Sequence, residues 1–168
     1  MWYVNTINMR KEIILILHNI RSVYNVGSIF RTADAVGVSK IFLTGYTPTP
    51  LDKFGRGASG LAKTALGAEK NIPWKYFSRP ASLMQKLRAR NFQIIAIEQA
   101  KNSIDYKKIN LPRDGQNVAF LLGNEVRGLS KTLLQQCDNI AEIPMRGKKE
   151  SLNVSVVAGI ALFRILDI

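Results

Sequence analysis

Short apolar runs rich in β-branched residues alternate along this chain with stretches of helical periodicity, and that alternation limits the possible folds more than any other feature. It predicts one α/β domain whose mostly parallel sheet is flanked by helices. Strands are predicted over Glu12–Asn19, Lys40–Gly45, Trp74–Phe77, Phe92–Glu98, Asn117–Gly123 and Ile140–Pro144. Trp74, Tyr76 and Phe77 are read as core residues of their strand rather than as stacking platforms for bases.

Asn25 is read as the N-cap of a helix that runs to about Val36, where Gly37 ends it in a left-handed cap. Ser78 and Pro80 open another helix through about Arg90, with Leu83, Met84 and Leu87 as its apolar stripe. A last helix, from Asn153 to about Leu166, carries Val154, Val156, Val157, Ala158, Ile160, Leu162, Phe163, Ile165 and Leu166 around almost its whole circumference. Burial on nearly all sides is what such a helix needs. The sheet alone does not supply it in a small domain, so a homodimer is predicted. Tyr46–Ile72, with Pro48, Pro50 and several glycines, reads as a functional loop holding at most one short helix.

Composition narrows the chemistry. With 24 lysines and arginines against 12 acidic residues, the 168-residue chain has a formal charge of +12, which favours a polyanionic partner, nucleic acid first. A membrane is not the expected partner, because the longest apolar runs, such as Ile13–Leu17 and Val118–Leu122, fall far short of the roughly 20 residues of a spanning helix. Met1–Lys11 lacks the apolar core of a secretory signal, so a cytoplasmic location is expected. One cysteine, Cys137, and one histidine, His18, leave no internal disulfide and no Cys/His zinc cluster, and no metal site is predicted. His18 ends an apolar run and is read as a packing residue.

The string Gly55-Arg-Gly-Ala-Ser-Gly60 has dinucleotide-binding spacing, but no strand leads directly into it and position 75 is lysine where an acidic residue is needed. A glycine loop carrying Arg56 near a phosphate, or a plain surface loop, fits better. Three other segments carry more. Asn19 to Asp34 joins a strand end to a helix bearing Arg31, which could instead pair with Asp34 on the surface. Leu122-Gly123-Asn124-Glu125-Val126-Arg127-Gly128 runs from a buried strand into a glycine turn with one carboxylate, at the place where parallel sheets bind ligands. Ile143 to Ser155 is a strand end, a basic glycine loop and the amides of a helix N-terminus.

Together these segments resemble the SpoU or TrmH branch of the SPOUT methyltransferases, over about Glu12 to Leu166. The first family motif corresponds to Asn25 with Arg31, the second to Gly123-Asn124-Glu125, and the third to Ile143-Pro144-Met145 followed by Ser151-Leu152-Asn153-Val154-Ser155. The resemblance implies a dimeric α/β domain with a deep C-terminal trefoil knot. It also implies methyl transfer from S-adenosylmethionine to a ribose 2′-hydroxyl of structured RNA, transfer RNA preferred. The same reaction on ribosomal RNA and a non-catalytic RNA-binding or assembly factor stand as alternatives.

Carried over by position, the resemblance makes Arg31 the central catalytic residue, with Asn25, Glu125, Ser151 and Asn153 completing the set. It places the donor among Glu98, Gln99, Gly123, Ile143, Met145 and Leu152, largely on backbone groups. A guanidinium stays protonated in proteins because its pKa exceeds about 12. Arg31 is therefore read as an anchor for phosphate and developing alkoxide charge rather than as a general base. With no separate RNA-binding extension expected, the domain's own basic residues become the RNA contacts. Arg56, Lys63, Arg146, Lys148 and Lys149 are the foremost candidates, followed by Arg79, Lys86, Arg88 and Arg90.

Overall fold

The computed structural model describes residues 11–111 and 116–168, so the reading of the first ten residues as lacking a secretory signal lies outside the described residues. Among the described residues seven strands form one sheet: β1 (Ile13–His18), β2 (Lys40–Thr44), β3 (Trp74–Tyr76), β4 (Gln93–Ile97), β5 (Ile104–Asp105), β6 (Val118–Leu122) and β7 (Asn139–Glu142). Their spatial order is β3-β2-β1-β6-β4-β7-β5, and every pairing is parallel. The central strands show why. The whole of β6, VAFLL, and Ile14–Leu17 of β1 are buried on both faces, as continuous apolar runs in covered parallel sheets are.

The helices are α1 (Val23–Ala35), α2 (Ser59–Ala65), α3 (Ala68–Asn71), α4 (Pro80–Ala89), α5 (Lys131–Leu134) and α6 (Val154–Leu166), with a 3-10 turn at Tyr106–Lys108. On one face of the sheet Leu15, Leu17, Leu43, Phe120 and Leu122 pack against α1, α2 and α6. On the other, Ile14, Ile16, Ala119 and Leu121 meet Leu83, Met84 and Leu87 of α4 and Leu133 of α5. No helix among the described residues is long and apolar enough to cross a membrane.

Several boundaries differ from the sequence reading. Ser22, not Asn25, caps α1: its hydroxyl accepts from the Asn25 amide at 3.2 Å, and Asn25 lies inside the first turn with its side chain free for other work. Gly37 does follow α1 in the left-handed conformation, at φ +77°. The Tyr46–Ile72 segment holds two short helices, α2 and α3, where one at most was expected. Gly27 of α1 admits α2 at close range, because a Cβ there would collide with the Thr64 hydroxyl and the Leu61 carbonyl. The two-residue β5 went unread because it has no apolar run. Tyr76, read as core, is exposed and donates its hydroxyl to the Gly45 carbonyl at 2.9 Å. On α6, Val154, Ala158, Ala161, Leu162 and Ile165 are buried, whereas Val156 and Phe163 remain 47% and 39% exposed on the opposite side.

Candidate active site

Register brings the strand ends together. Leu17 pairs with Leu122, Leu122 with Ile97, and Ile97 with Ala141, so the chain leaves β1, β6, β4 and β7 at one edge of the sheet. A parallel sheet binds ligands in the crevice beyond that carboxyl edge. Here the crevice is a pocket with apolar walls from Ile97, Leu122, Ile143, Val154 and Val157, whose lining also includes Glu98, Gln99, Gly123, Met145 and Leu152. All six residues assigned to the donor thus line one cavity. Two of the polar ones are already engaged. Glu98 accepts from the Leu129 amide at 2.9 Å and the Gln99 amide at 3.0 Å, and the Gln99 side chain donates to the Glu150 carbonyl at 2.9 Å, tying the loop after β4 to the loop before α6.

Beside this pocket lies a second cavity lined by Asn25, Glu125, Ser151 and Asn153, so four of the five residues assigned to catalysis come together. Glu125 orders them. Its Oε2 accepts from the Arg21 amide at 3.1 Å, and its Oε1 from the Ser22 amide at 3.4 Å and from Asn25 Nδ2 at 3.1 Å. An ionised carboxylate only accepts, so Asn25 must present its NH₂ to it and turn its own oxygen outward. That oxygen accepts from Asn153 Nδ2 at 3.1 Å, which leaves Asn153 Oδ1 for the Ser155 amide at 2.9 Å and the Ser155 hydroxyl at 2.6 Å. One carboxylate therefore sets the sense of two amides and, through Asn153, the N-cap of α6. Burial opposes the charge on Glu125, but the hydrogen bond from the Arg21 amide, with those of Asn25, Ser22 and its own backbone, outweighs it and holds the carboxyl below its usual range. Ser151 is exposed at the rim shared by both cavities.

Arg31 is not in either cavity. It is exposed on α1 and lines a separate groove with Lys63, Thr64 and Ser155. The surface pairing with Asp34 does not form: ion pairs among the described residues join Arg56 to Asp52, Arg88 to Asp138, Arg90 to Glu12 and Arg164 to Asp167. Of the basic candidates, Arg56 is thus held by Asp52 at 2.7 Å and lies over the Phe54 ring, Lys63 shares the groove of Arg31, and Arg146, Lys148 and Lys149 are exposed in the loop between β7 and α6. His18 packs as expected, with Nδ1 at 2.8 Å from the Thr44 hydroxyl and Nε2 at 3.0 Å from Asn19 Nδ2; burial lowers its pKa.

Sequence reasoning passed over Arg21, Tyr46 and Arg127, which line a third cavity with Asn124 and Val126. The signal was available: Arg21 and Tyr46 follow the carboxyl ends of β1 and β2, where the ligand rule applies as it does after β6.

Comparison with known proteins gives the family. Residues 12–163 match the SpoU rRNA Methylase family. The chain is 33% identical over 150 residues to the 23S rRNA (guanosine-2′-O-)-methyltransferase RlmB of Neisseria meningitidis serogroup B, covering 89% of this chain and 56% of that protein. The AdoMet-bound rRNA methyltransferase of Sinorhizobium meliloti superposes with a TM-score of 0.84 at 31% identity, over 94% of this chain and 57% of that one. The TrmH/SpoU tRNA modifying enzyme of A. aeolicus superposes with a TM-score of 0.79 at 27% identity, over 95% and 76%. The chain spans a little over half the length of the curated relatives it matches. With the family motifs at the carboxyl edge of a parallel sheet and the match covering most of its length, the chain belongs to the SpoU rRNA methylase family.

Proposed function

We propose that this protein transfers a methyl group from S-adenosylmethionine to a ribose 2′-hydroxyl of structured RNA, with transfer RNA as the substrate. The observation that carries this reading is the junction of two cavities: the pocket lined by Glu98, Gln99, Gly123, Ile143, Met145 and Leu152 opens beside the Glu125–Asn25–Asn153 relay, with Ser151 on the shared rim. The pocket suits the donor chemically, since its apolar walls fit an adenine ring and the Ser151 hydroxyl on its rim offers a polar partner to ribose or amino-acid groups. When bound, S-adenosylmethionine supplies an electrophilic methyl on a sulfonium centre. The chain's own task is alignment. Asn25 and Asn153 orient the acceptor ribose, and Ser151 and the first amides of α6 hold an adjacent phosphate. Arg31 anchors phosphate and stabilises the charge that develops on the 2′-oxygen, whose proton passes to phosphate or water.

Residues 12–166 act in this reading as one catalytic domain with a deep C-terminal trefoil knot, in the region where the Gln99–Glu150 hydrogen bond joins the loop after β4 to the loop before α6. Val156 and Phe163 support a homodimer that covers α6. Arg31 flanks that face beside Ser155 and Val156, so dimerisation sets it at the seam between protomers. Arg146, Lys148, Lys149, Lys63 and Arg56 then contribute to docking the RNA. Ribosomal RNA is the second reading, favoured by the Neisseria relative, a 23S rRNA (guanosine-2′-O-)-methyltransferase.

Calorimetry with S-adenosylmethionine, with and without RNA, is the direct test. Binding in either arm is expected, and none in both sinks the reading. Ribose-methylation mapping of total RNA with and without the protein decides between the two substrates.

A further inference from the structure

We propose that the cavity lined by Arg21, Tyr46, Asn124, Val126 and Arg127 receives the unpaired base of the target nucleotide, with Tyr46 as its stacking platform and the two arginines on the flanking phosphates. The proposal rests on the RNA reading above and adds where the base goes and what holds it.

Position is the first argument. The three cavities adjoin one another, and Asn124 lines both the donor pocket and the Tyr46 cavity. The donor pocket shares Glu125, Ser151 and Leu152 with the ribose cavity, and the ribose cavity shares Arg21 and Val126 with this one. A ribose whose 2′-oxygen faces the donor pocket has its base on the adjacent carbon, directed to Tyr46.

Chemistry is the second. Tyr46 is 57% exposed, yet it is fixed. Gly45, at φ +64°, has no room for a Cβ against the Asn19 side chain, and the Tyr46 amide donates to Asn19 Oδ1 at 3.2 Å. The next residue, Thr47, is buried and locks the turn through its hydroxyl, which donates to carbonyls of Leu17 or Thr44 and accepts from the Ile20 amide. Asn124 sets the phenol. Its Oδ1 accepts the Val126 and Arg127 amides at 2.9 and 2.7 Å, so the atom facing Tyr46 is Nδ2, which donates to the phenolic oxygen at 2.9 Å. The hydroxyl proton of Tyr46 is left pointing outward, ready for a base carbonyl or ring nitrogen. Val126, 80% exposed, supplies an apolar wall, and Arg21 and Arg127 make no ion pair among the described residues. A held aromatic face, an apolar wall and two uncommitted guanidinium groups are the groups that recognise an unpaired nucleotide, whose base stacks while its phosphates are neutralised.

The experiment titrates the full chain, with S-adenosylhomocysteine present, into a short single-stranded RNA carrying 2-aminopurine, whose fluorescence falls on stacking. Wild type quenches. Tyr46→Ala loses the quench and weakens binding about 5- to 150-fold, the span of base–aromatic stacking, while calorimetric affinity for S-adenosylmethionine alone and the melting temperature hold. Tyr46→Phe keeps the ring and the quench. Arg21→Ala and Arg127→Ala each reduce the slope of log K against log salt by about 0.7. A Tyr46→Ala protein that binds and quenches as wild type does, while methyl transfer proceeds, overturns this proposal and leaves the RNA reading standing. Equal loss in Tyr46→Ala and Tyr46→Phe also overturns it, because the contact to Asn124 alone then explains Tyr46. A wild-type chain that binds neither RNA nor S-adenosylmethionine overturns both.

Discussion

Replacing Glu125 with glutamine tests whether one carboxylate sets the polarity of the site. From elsewhere in the chain the carboxylate accepts three hydrogen bonds, from the Arg21 amide, the Ser22 amide and Asn25 Nδ2, beside the one from its own backbone. Glutamine has one acceptor. Its oxygen can keep Ser22 and Asn25, but its NH₂ then faces the Arg21 N–H, donor against donor. A hydrogen bond to a charged group contributes about 1.5–3 kcal/mol, and the two that remain lose their charge assistance. Water can reach the exposed Arg21, which relieves its amide, so the net loss in Glu125→Gln comes to about 2 kcal/mol. In a domain of 168 residues that is a fall of roughly 4–8 °C in melting temperature. The pH dependence carries the sharper test. The folded carboxyl titrates below its unfolded value of 4.5, so its stabilisation is present above that pH and is lost as pH falls through the folded pKa. Urea unfolding of both proteins at neutral pH and in steps below pH 4.5 should show a gap that is full at neutrality and closes as the wild-type group protonates. A gap that stays constant across that range, or is absent at neutrality, refutes the carboxylate relay.

Three further outcomes follow from the same coordinates. Cys137, half-buried and with its thiol pushed up to about 12 by burial and by the charge of Asp138 against the partial relief of Arg88, should react with iodoacetamide far more slowly in the native protein than in concentrated urea; equal rates in the two would contradict that shift. Gly27→Ala should destabilise the domain by about 1–3 kcal/mol or more, because the added methyl meets the backbone of α2 and the two helices must part; thermal melting within 1 °C of wild type would show that they are not in such close contact. His18, whose pKa is lowered by burial, favours the unfolded state on protonation, so its share of stability is complete above 6.5 and declines as pH falls below it through the folded value. His18→Gln should flatten that part of the stability profile, measured by denaturant unfolding between pH 7.5 and 5.5.

Sheet order was not legible in the sequence, but the central strands were, because each is a short continuous apolar run; the longer run Val156–Phe163, broken only by Gly159, belongs to α6. What failed was local and has local causes. Asn25 follows a serine three positions earlier, and both residue types cap helices, so composition alone does not say which hydroxyl or amide meets the first turn; Ser22 takes the cap and the Asn25 side chain becomes a link in the relay. The glycines after Gly45 hid α2, since its packing depends on Gly27, over thirty residues away, having no side chain. The candidate site was read in sequence as motifs and in space it became cavities. Asn25, Glu125, Ser151 and Asn153 meet, and Arg31 does not meet them, which no spacing along the chain could have revealed.

The polar residues around the three cavities divide into two kinds by what they have left to offer. Glu98, Asn124 and Glu125 all direct their acceptors at backbone amides: Glu98 at Gln99 and Leu129, Asn124 at Val126 and Arg127, Glu125 at Arg21 and Ser22. Gly128, at φ +62°, lets the turn fold back over the Glu98 carboxylate, where a Cβ would lie 2.5 Å from Oε2. These side chains replace the hydration of amides that no strand or helix pairs, and so they build the walls before any ligand arrives. A wall already formed adds little ordering entropy to binding. Recognition then falls to groups with capacity still open, among them Ser151 at the rim, the second N–H of the Asn25 and Asn153 amides, the outward hydroxyl of Tyr46, and the guanidinium groups of Arg21, Arg127 and Arg31. Charge follows the same division: the site's structural carboxylates are fixed toward the protein, and its cations are directed outward, where a polyanion would meet them.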